Sequence, residues 1–183
     1  AEGRVEFEHV RFGYAEGEDI IEDLSFTAEP GQTVAVVGPT GAGKTTIINL
    51  VNRFYEIQGG TITYDGLDIR DIRKKDLRRS LSMVIQDTHL FTGTIADNIR
   101  YGRLDARKDE IISAAKMANV HHYIRTLTKG YDSLINEEAN NISQGEKQLL
   151  TIARAILKDP QILILDEATS SVDTRLERRL QEA

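Results

Sequence analysis

The sequence predicts an α/β fold in which a mostly parallel core sheet carries an antiparallel flank and a largely helical second half. Thr33–Val37 and Ile162–Leu165 are runs of β-branched and aliphatic residues, which is the composition of strands buried in a parallel sheet. Apolar residues recur at helical spacing from Thr94 to Leu127 and again from Ser143 to Leu157. These two kinds of pattern together favour an α/β architecture.

Three short strands with alternating or turn-bounded patterns surround the Thr33–Val37 strand. They are Val5–Phe12, Leu24–Ala28 and Thr61–Tyr64. Pro30-Gly31 stops the second of them, and the Asp65-Gly66 turn closes the third. The pattern indicates an antiparallel flank.

A glycine-rich turn links the Thr33–Val37 strand to a helical pattern, which is the context that the motif G-x-x-x-x-G-K-[ST] requires. The turn and helix start comprise Gly38, Pro39, Thr40, Gly41, Ala42, Gly43, Lys44, Thr45 and Thr46. Glycine N–H groups can curl around a phosphate, and the helix N-terminus adds about half a positive charge. Lys44 supplies a full charge for the β- and γ-phosphates, and the Thr45 hydroxyl is placed to ligate Mg²⁺. A glycine turn that binds nothing would not need Lys-Thr, so a nucleoside triphosphate site is predicted.

The elements after this motif are predicted in order along the chain. Gly59-Gly60 is expected to mark the C-terminus of the helix that opens at the motif. The charged run Arg70–Arg79 indicates a short solvated helix, and Leu81–Ile85 a buried strand that ends at Gln86. The Ser143–Leu157 helix is ended by Lys158-Asp159-Pro160.

Two carboxylates, Asp166 and Glu167, follow the Ile162–Leu165 strand. The residues after a buried strand lie at the carboxyl edge of the sheet, where α/β proteins place their ligands. Asp166 is then positioned to hold the Mg²⁺ that Thr45 contacts, and Glu167 to orient or deprotonate an attacking water. Alone, the pair could equally cap the next helix; with the glycine-rich motif it indicates hydrolysis of a triphosphate.

Ser143-Gln144-Gly145-Glu146 supports two interpretations that are compatible. It matches a capping box, in which Ser143 and Glu146 bond to each other's backbone N–H groups. A helix N-terminus with a Ser hydroxyl and a glycine N–H is also a phosphate-binding surface.

Taken together, these segments resemble ATP-binding-cassette (ABC) ATPases over essentially the whole chain. Gly38–Thr45 resembles the Walker A loop, Ile162–Glu167 the Walker B strand and Ile142–Glu146 the LSGGQ signature. The resemblance implies a P-loop NTPase fold of the ABC ATPase type. Residues 1–85 and 159–183 would form the nucleotide-binding core, and residues 86–158 a mostly helical signature subdomain.

The resemblance also implies roles for single residues. Tyr14 resembles the aromatic that stacks on adenine, although without the family an ordinary core tyrosine would be the better interpretation. Gln86 resembles the glutamine that senses Mg²⁺ and water, with a strand-end turn residue as the alternative. Asp173 resembles the aspartate that contacts the opposing subunit. The Leu90–Ile99 segment resembles the part of exporters where the coupling helices of the membrane domain dock. Glu137 lies where exporters carry a short acidic cross-talk loop.

The family members most similar to this chain are nucleotide-binding domains of bacterial multidrug or lipid exporters. That similarity implies ATP and Mg²⁺ as cofactors and a second ABC domain, identical or not, bound head to tail. Ser143 and Gly145 would contact the γ-phosphate across that interface, while Glu167, Gln86 and Lys44 serve catalysis. The partner would be a transmembrane domain not in this chain, at the cytoplasmic face of the membrane, and no nucleic acid is expected.

Two features depart from the family pattern. Gln144 and Glu146 replace the first glycine and the glutamine of the signature, while Ser143 and Gly145 are retained. The family's switch histidine follows the aspartate at position 173 on a further strand, but every histidine here precedes Asp166. These histidines are His9, His89, His121 and His122. We therefore expect a domain truncated at its C-terminus, with weak hydrolysis or none.

Two other functions stay open from the sequence. The chain could be a regulatory module that dimerises with nucleotide but hydrolyses little, although an intact Glu167 argues against this. It could also be a non-transport ABC ATPase acting in DNA repair or translation. The net charge of −6 opposes that class, because no basic surplus is present to neutralise nucleic-acid phosphates. The exporter-like Leu90–Ile99 segment opposes it as well. The absence of cysteine excludes disulfides and thiol catalysis.

Overall fold

The chain divides into two structural units, residues 1–81 and residues 82–183. The computed structural model of the protein describes residues 2–39, 43–84, 89–136 and 140–166. Each unit has its own set of buried apolar side chains.

A four-stranded antiparallel sheet forms the first unit, with the strand order β2-β1-β3-β4. Its strands are β1 (Val5–Phe12), β2 (Ile21–Ala28), β3 (Gly59–Tyr64) and β4 (Leu67–Asp68). The three predicted flanking strands and their antiparallel pairing are confirmed. The fourth strand, β4, follows directly after the predicted Asp65-Gly66 turn.

One extra residue in β1 keeps its apolar side chains in the core. Buried apolar positions are odd-numbered up to Phe7 and even-numbered from Val10 onward. The pairing with β2 shifts register between Phe7 and Val10, and His9 has a φ of 48° in that interval. A bulge of this kind changes which side chains face the core. Phe12, at the end of the strand, is only 2% exposed as a result.

Two helices complete the first unit, α1 (Lys44–Val51) and α2 (Lys74–Ser80). The predicted helix end at Gly59-Gly60 is wrong, because α1 ends at Val51 and the two glycines begin β3 instead. Arg53 adopts a φ of 51°, and its guanidinium donates to the carbonyl oxygens of Ile69 and Ile72 at 2.9 and 3.1 Å. These tertiary contacts end the helical path before the glycines.

The charged run at Arg70–Arg79 forms a helix only in its second half, where α2 buries Leu77. The first half is a turn, in which the Arg70 N–H donates to the Asp68 carboxylate and the Asp71 N–H to the Asp68 carbonyl, both at 2.9 Å. Because an aspartate side chain competes for local backbone donors, the helix starts later than predicted.

The predicted strand at Thr33–Val37 is not formed. This segment has no regular secondary structure, and Val34, Val36 and Val37 are 42%, 45% and 87% exposed. A parallel strand is stable when both of its edges are hydrogen-bonded and both faces covered. Within the described residues no strand pairs with this segment. Its backbone therefore lacks the hydrogen-bonded neighbour that a strand requires, although its composition is typical of one.

The second unit is mostly helical, as predicted. Its helices are α3 (Ile95–Arg100), α4 (Lys108–Met117), α5 (His121–Thr126) and α6 (Gln144–Leu157), with a 3₁₀ turn at Gly130–Asp132. Its strands are β5 (Leu81–Val84), which begins at the unit boundary, β6 (Gly93–Thr94), β7 (Leu134–Ile135) and β8 (Ile162–Leu165). Strand β5 pairs with β8, and β6 pairs antiparallel with β7. The predicted strands at Leu81 and Ile162 are therefore confirmed, whereas Ile85 lies outside the described residues.

Helix α6 packs against α3 and α4 at the centre of the second unit. The largest buried side chains there are less than 2% exposed; they are Ile95, Ile99, Ile111, Ile124, Ile135, Leu150 and Ile152. Burying one such side chain contributes about 1.5–3 kcal/mol. The position of α6 is therefore firmly set by the helices around it.

Across the described part of the chain, no helix has both the length and the apolar character needed to cross a bilayer.

Candidate functional site

Positive charge is concentrated where α1 begins. The helix starts at Lys44 with Gly43 as its N-cap, and it has no acidic residue in its first turn. The partial positive charge of the helix N-terminus is therefore not neutralised from within the helix. The Lys44 ammonium donates to the carbonyl oxygen of Pro39 at 3.0 Å and also to that of Gly38. Both loop residues and the side chain of Thr45 are exposed, so an anion can reach this surface.

Tyr14 lies directly against α1. Its hydroxyl oxygen is 3.2 Å from the Thr46 hydroxyl oxygen, and the Asn49 side-chain amide donates to it at 3.2 Å. Its ring meets Phe12 and Tyr55 edge-on, with centroid distances of 5.0 and 4.9 Å. Tyr14 is nevertheless 49% exposed, so it is not the ordinary core tyrosine that its sequence context alone would favour. An exposed aromatic ring at the start of a helix is a suitable surface for stacking a planar ligand.

Gln58 holds the backbone next to Tyr14, although no sequence motif marks it. Its side-chain oxygen accepts from the Gly13 N–H at 2.8 Å, and its side-chain nitrogen donates to the Gly13 carbonyl at 2.7 Å. The Gln58 backbone N–H also donates to the Arg11 carbonyl at 3.0 Å. Since its partner is 45 positions away in the sequence, no local pattern could have identified this residue.

In the second unit, Ser143 is the N-cap of α6, and its hydroxyl oxygen accepts from the Glu146 N–H at 3.3 Å. Only this half of the predicted capping box is present. The Glu146 Oε2 atom is buried and has no hydrogen-bond partner among the described residues. Ser143 is exposed, and among the described atoms an added Cβ at Gly145 would have only the Ser143 hydroxyl within 4 Å, at 3.9 Å. The start of α6 is therefore open to an approaching group.

Asp166 follows β8 and is held by the sheet. Its backbone N–H donates to the Val84 carbonyl at 2.9 Å, which continues the β5–β8 pairing by one residue, and its side chain is partly exposed. The other predicted residues fall outside the part of the chain that the structure describes. These are Thr40, Gly41, Ala42, Gln86, Glu137, Glu167 and Asp173.

The Leu90–Ile99 segment is organised around Asn98, which is 1% exposed. The Asn98 side-chain oxygen accepts from the Phe91 N–H at 2.8 Å, and its nitrogen donates to the carbonyls of Phe91 and Thr94 at 2.9 and 3.0 Å. One buried amide side chain thus fixes the loop that precedes α3.

Arg154 of α6 ties that loop to the helix. Its guanidinium donates to the Asn98 carbonyl at 2.9 Å, the Asn98 side-chain oxygen at 3.2 Å and the His89 carbonyl at 2.9 Å. Burial lowers the pKa of Arg154 from its ordinary value, and an ionised Tyr101 would oppose that shift. The Phe91 and Tyr101 rings lie 4.9 and 5.6 Å from the guanidinium carbon and are 44% and 59% exposed. Phe91 and Tyr101 therefore form an exposed aromatic surface at the two ends of the Phe91–Tyr101 stretch.

His121 has a structural partner. Its ring Nδ1 is 2.8 Å from the Tyr131 hydroxyl. Partial burial lowers the pKa of His121, and the charges of Lys116 and Arg125 lower it further. Burial raises the pKa of Tyr131 to about 12. Among the residues that the structure describes, no group of three or more His, Cys, Asp or Glu side chains could hold a metal ion.

The chain has the P-loop fold of the ABC ATPases, as its family match and its structural match both show. The family model described as ABC transporter matches residues 21–170, so the chain belongs to the ABC transporter family.

The similar proteins and the similar solved structure are also ABC transporters. The fatty acid ABC transporter ATP-binding/permease protein of Mycobacterium bovis is 58% identical over 181 residues, which are 99% of this chain and 29% of that protein. ATP-binding cassette sub-family B member 6 of Homo sapiens is 51% identical over 179 residues, which are 98% of this chain and 21% of that protein. A bacterial Atm1-family ABC exporter with ATP bound superposes with a TM-score of 0.89 at 44% identity, covering 99% of this chain and 32% of the other. The chain thus spans well under half the length of each.

Proposed function

We propose that this chain is the ATP-binding and ATP-hydrolysing domain of an ABC exporter that moves a drug- or lipid-like substrate across a membrane. The observation that carries the proposal is the start of α1, where Lys44, an exposed Thr45 and a first turn without acidic residues give a surface that suits an anion. The Mycobacterium bovis relative, named as a fatty acid transporter, supports the lipid-like alternative. Residues 1–85 and 159–183 would serve as the nucleotide-binding core, and residues 86–158 as the signature subdomain.

ATP would bind with its phosphates at the start of α1 and its base against Tyr14. The Gly38–Thr46 segment would supply backbone N–H groups and the Lys44 charge to the phosphates. The half-exposed Tyr14 ring adjoins the same helix through its hydroxyl contact with Thr46, which supports adenine stacking there.

The residues present suit a magnesium ion, because Mg²⁺ prefers hydroxyl, amide and carboxylate oxygens. Thr45, Gln86 and Asp166 would hold it, and the exposure of Thr45 and Asp166 leaves their oxygens accessible. When bound, Mg²⁺ would supply positive charge that neutralises the phosphates. Glu167 would orient the attacking water or accept its proton.

A second ABC domain would complete the site from the other side. Ser143 and Gly145 at the open N-terminus of α6 would donate hydrogen bonds to the γ-phosphate held by the partner domain. The support on this chain is the exposed Ser143 and the free space at Gly145. The two domains could be identical or different.

The membrane partner would dock on the Leu90–Ile99 segment, which would place the chain at the cytoplasmic face of the membrane. The support is the exposed aromatic surface of Phe91 and Tyr101, held on α6 by Arg154. Aromatic residues are enriched in the buried cores of protein interfaces.

The proposal is tested by measuring MgATP binding by titration calorimetry for the full chain and for Lys44→Ala. Removing the Lys44 charge should weaken binding by at least about tenfold, since one charge-assisted contact to phosphate is lost. Lys75→Ala is the matched control, because Lys75 is an exposed lysine on α2 of the same unit. Equal binding by both variants would exclude the α1 site.

A Glu167→Gln variant separates a catalytic domain from a regulatory one. If Glu167 activates water, the variant should retain ATP and form a dimer detectable by size-exclusion chromatography with light scattering. A wild-type chain that already dimerises stably with ATP, with no change in the variant, would favour the regulatory function.

A further inference from the structure

We infer that Gln58 is a positioning residue that sets the preference for a nucleotide over a bare triphosphate, by fixing the backbone that carries Tyr14. The inference rests on the proposed ATP binding and goes beyond it. It assigns the positioning of the base-stacking ring to a residue that lies on neither the phosphate loop nor the aromatic cluster itself.

The first step is the chemistry of the contact between Gln58 and Gly13. One side-chain amide satisfies both backbone groups of Gly13, accepting from its N–H at 2.8 Å and donating to its carbonyl at 2.7 Å. Only an amide side chain offers a donor and an acceptor in this arrangement. Glutamate would keep the acceptor but set a carboxylate oxygen against the Gly13 carbonyl.

The second step is the packing on the other side of Gly13. An added Cβ at Gly13 would lie 1.9 Å from the Glu18 carbonyl oxygen, so the backbone of residue 18 is in close contact there. The Ile20 N–H also donates to the Phe12 carbonyl at 2.9 Å. Gly13 is thus held between Gln58 and the Glu18–Ile20 backbone, and Tyr14 follows it directly.

The third step is how little holds the Tyr14 ring itself. The ring is 49% exposed and touches Phe12 and Tyr55 only by edge contacts. Its hydroxyl bonds to Thr46 and Asn49 are both 3.2 Å long. A ring with so few contacts keeps its orientation mainly because its backbone is fixed. Loss of the Gln58 bonds would therefore change the stacking surface without altering the phosphate loop.

The experiment compares two probes on the full chain by calorimetry in Mg²⁺, namely ATP and inorganic tripolyphosphate. The tripolyphosphate has the phosphates without the base, so the ratio of the two affinities isolates the contribution of the base. Since stacking of one base on an aromatic ring gives about fivefold to 150-fold in affinity, Tyr14→Ala should reduce the ratio within that range. Gln58→Ala should reduce it about threefold to tenfold while leaving tripolyphosphate affinity unchanged.

Gln32→Ala is the matched control. Gln32 also accepts a backbone hydrogen bond through its side-chain oxygen, from the Glu29 N–H at 2.9 Å, and among the described residues it is not a hydrogen-bond partner of Tyr14. This variant should leave the ratio unchanged, because the Gln32 bond lies within its own turn and not on Gly13. Gln58→Glu is the second test variant, and it should lower the ratio as Gln58→Ala does. Thermal unfolding of each variant shows whether it is folded.

The outcomes separate the inference from the proposed function. If Tyr14→Ala lowers the ratio but neither Gln58 variant does, the positioning role is wrong while adenine stacking stands. If the Gln58 variants weaken both probes equally, Gln58 acts on overall structure and the inference is overturned. If the wild-type chain binds ATP no better than tripolyphosphate, the proposed stacking itself is wrong.

Discussion

The hydroxyl group of Tyr14 lies 3.2 Å from that of Thr46, and this contact joins the end of strand β1 to helix α1. Thr46 is 4% exposed and Tyr14 is 49% exposed, so the contact runs from the interior of the first unit to its surface. It connects the predicted base-binding ring with the predicted phosphate-binding helix. Four predictions concern this contact and three other well-defined features.

The first prediction is that Tyr14→Phe lowers the free energy of unfolding by about 0.5–1.5 kcal/mol, the net contribution of a typical hydrogen bond. The affinity for ATP should change less than about twofold, because the stacking ring is kept. Urea denaturation and calorimetry measure the two quantities. Tyr55→Phe is the control, since the Tyr55 hydroxyl has no hydrogen bond among the described residues while its ring lies in the same cluster. Equal destabilisation by both variants would mean that the contacts of the Tyr14 hydroxyl with Thr46 and Asn49 contribute nothing.

The second prediction concerns the contact between Arg154 and Asn98. Each single alanine substitution should lower the free energy of unfolding by about 2–4 kcal/mol, because it leaves buried polar groups without partners. The double variant should fall short of the sum by about 1–3 kcal/mol, the coupling expected between residues in one network. A urea-denaturation double-mutant cycle measures this coupling.

The control for that cycle is Arg100→Ala. Arg100 pairs with Asp97 at 2.9 Å, and both side chains are exposed, at 36% and 59%. An exposed ion pair of this kind should contribute less than about 1 kcal/mol. Strict additivity of the Arg154 and Asn98 substitutions would show that these two side chains do not act as one network.

The third prediction separates backbone strain from steric overlap at two glycines. Gly60 and Gly17 have φ angles of 77° and 85°. A Cβ at Gly60 would lie 2.3 Å from the carbonyl oxygens of Glu8 and His9, whereas a Cβ at Gly17 would have no described atom within 4 Å. Gly17→Ala should therefore cost about 1–2 kcal/mol from the left-handed conformation alone. Gly60→Ala should cost more than about 3 kcal/mol, because β1 and β3 must also separate. Similar unfolding midpoints for the two variants would contradict the close strand contact.

The fourth prediction concerns acid stability and Asp65. Its carboxylate accepts from the backbone N–H groups of Glu2, Gly3 and Arg4 at 2.8, 2.9 and 2.9 Å. Partial burial raises the pKa of Asp65, but these three donors together lower it below the ordinary value. The folded state therefore binds fewer protons than the unfolded state as the pH approaches the ordinary carboxyl pKa of about 3.9. The stabilisation is present above that pH and is lost as the pH falls through the lowered folded-state pKa.

Asp65→Asn should accordingly be less stable than the wild type at about pH 7, with a difference that shrinks below about pH 4. Asparagine tolerates the φ of 49° at this position, so the substitution tests the charge and its acceptor oxygens rather than the backbone. Thermal unfolding as a function of pH measures the effect. Asp105→Asn is the control, because its side chain is 90% exposed. A constant difference across the pH range would contradict the role of the Asp65 charge.

The features predicted correctly from the sequence are those set by nearby residues. Strand β1 follows from the alternation in Val5–Phe12, and helix α6 from the helical spacing in Ser143–Leu157. In each case the apolar residues of the segment itself mark the face that is buried. Ser143 as the start of α6 follows for the same reason, since a helix cap bonds within its own first turn.

The features that failed or were missed depend on distant partners. Thr33–Val37 has the composition of a strand, but a strand also needs neighbours, and the described residues provide none for it. Gln58 and Arg154 bond to residues 45 and 56 positions away, which no local pattern reveals. The sequence predicts too late an end for α1, because the contacts of Arg53 with Ile69 and Ile72 end the helix before the glycines do.

The edge contact between Tyr14 and Tyr55, with ring centroids 4.9 Å apart, has a spectroscopic consequence. The chain contains six tyrosines and no tryptophan, so its ultraviolet emission comes from tyrosine alone. A purine stacked on Tyr14 would quench that ring and its neighbour together. The natural chain could then report its own occupancy by intrinsic fluorescence, without a label and without an added chromophore.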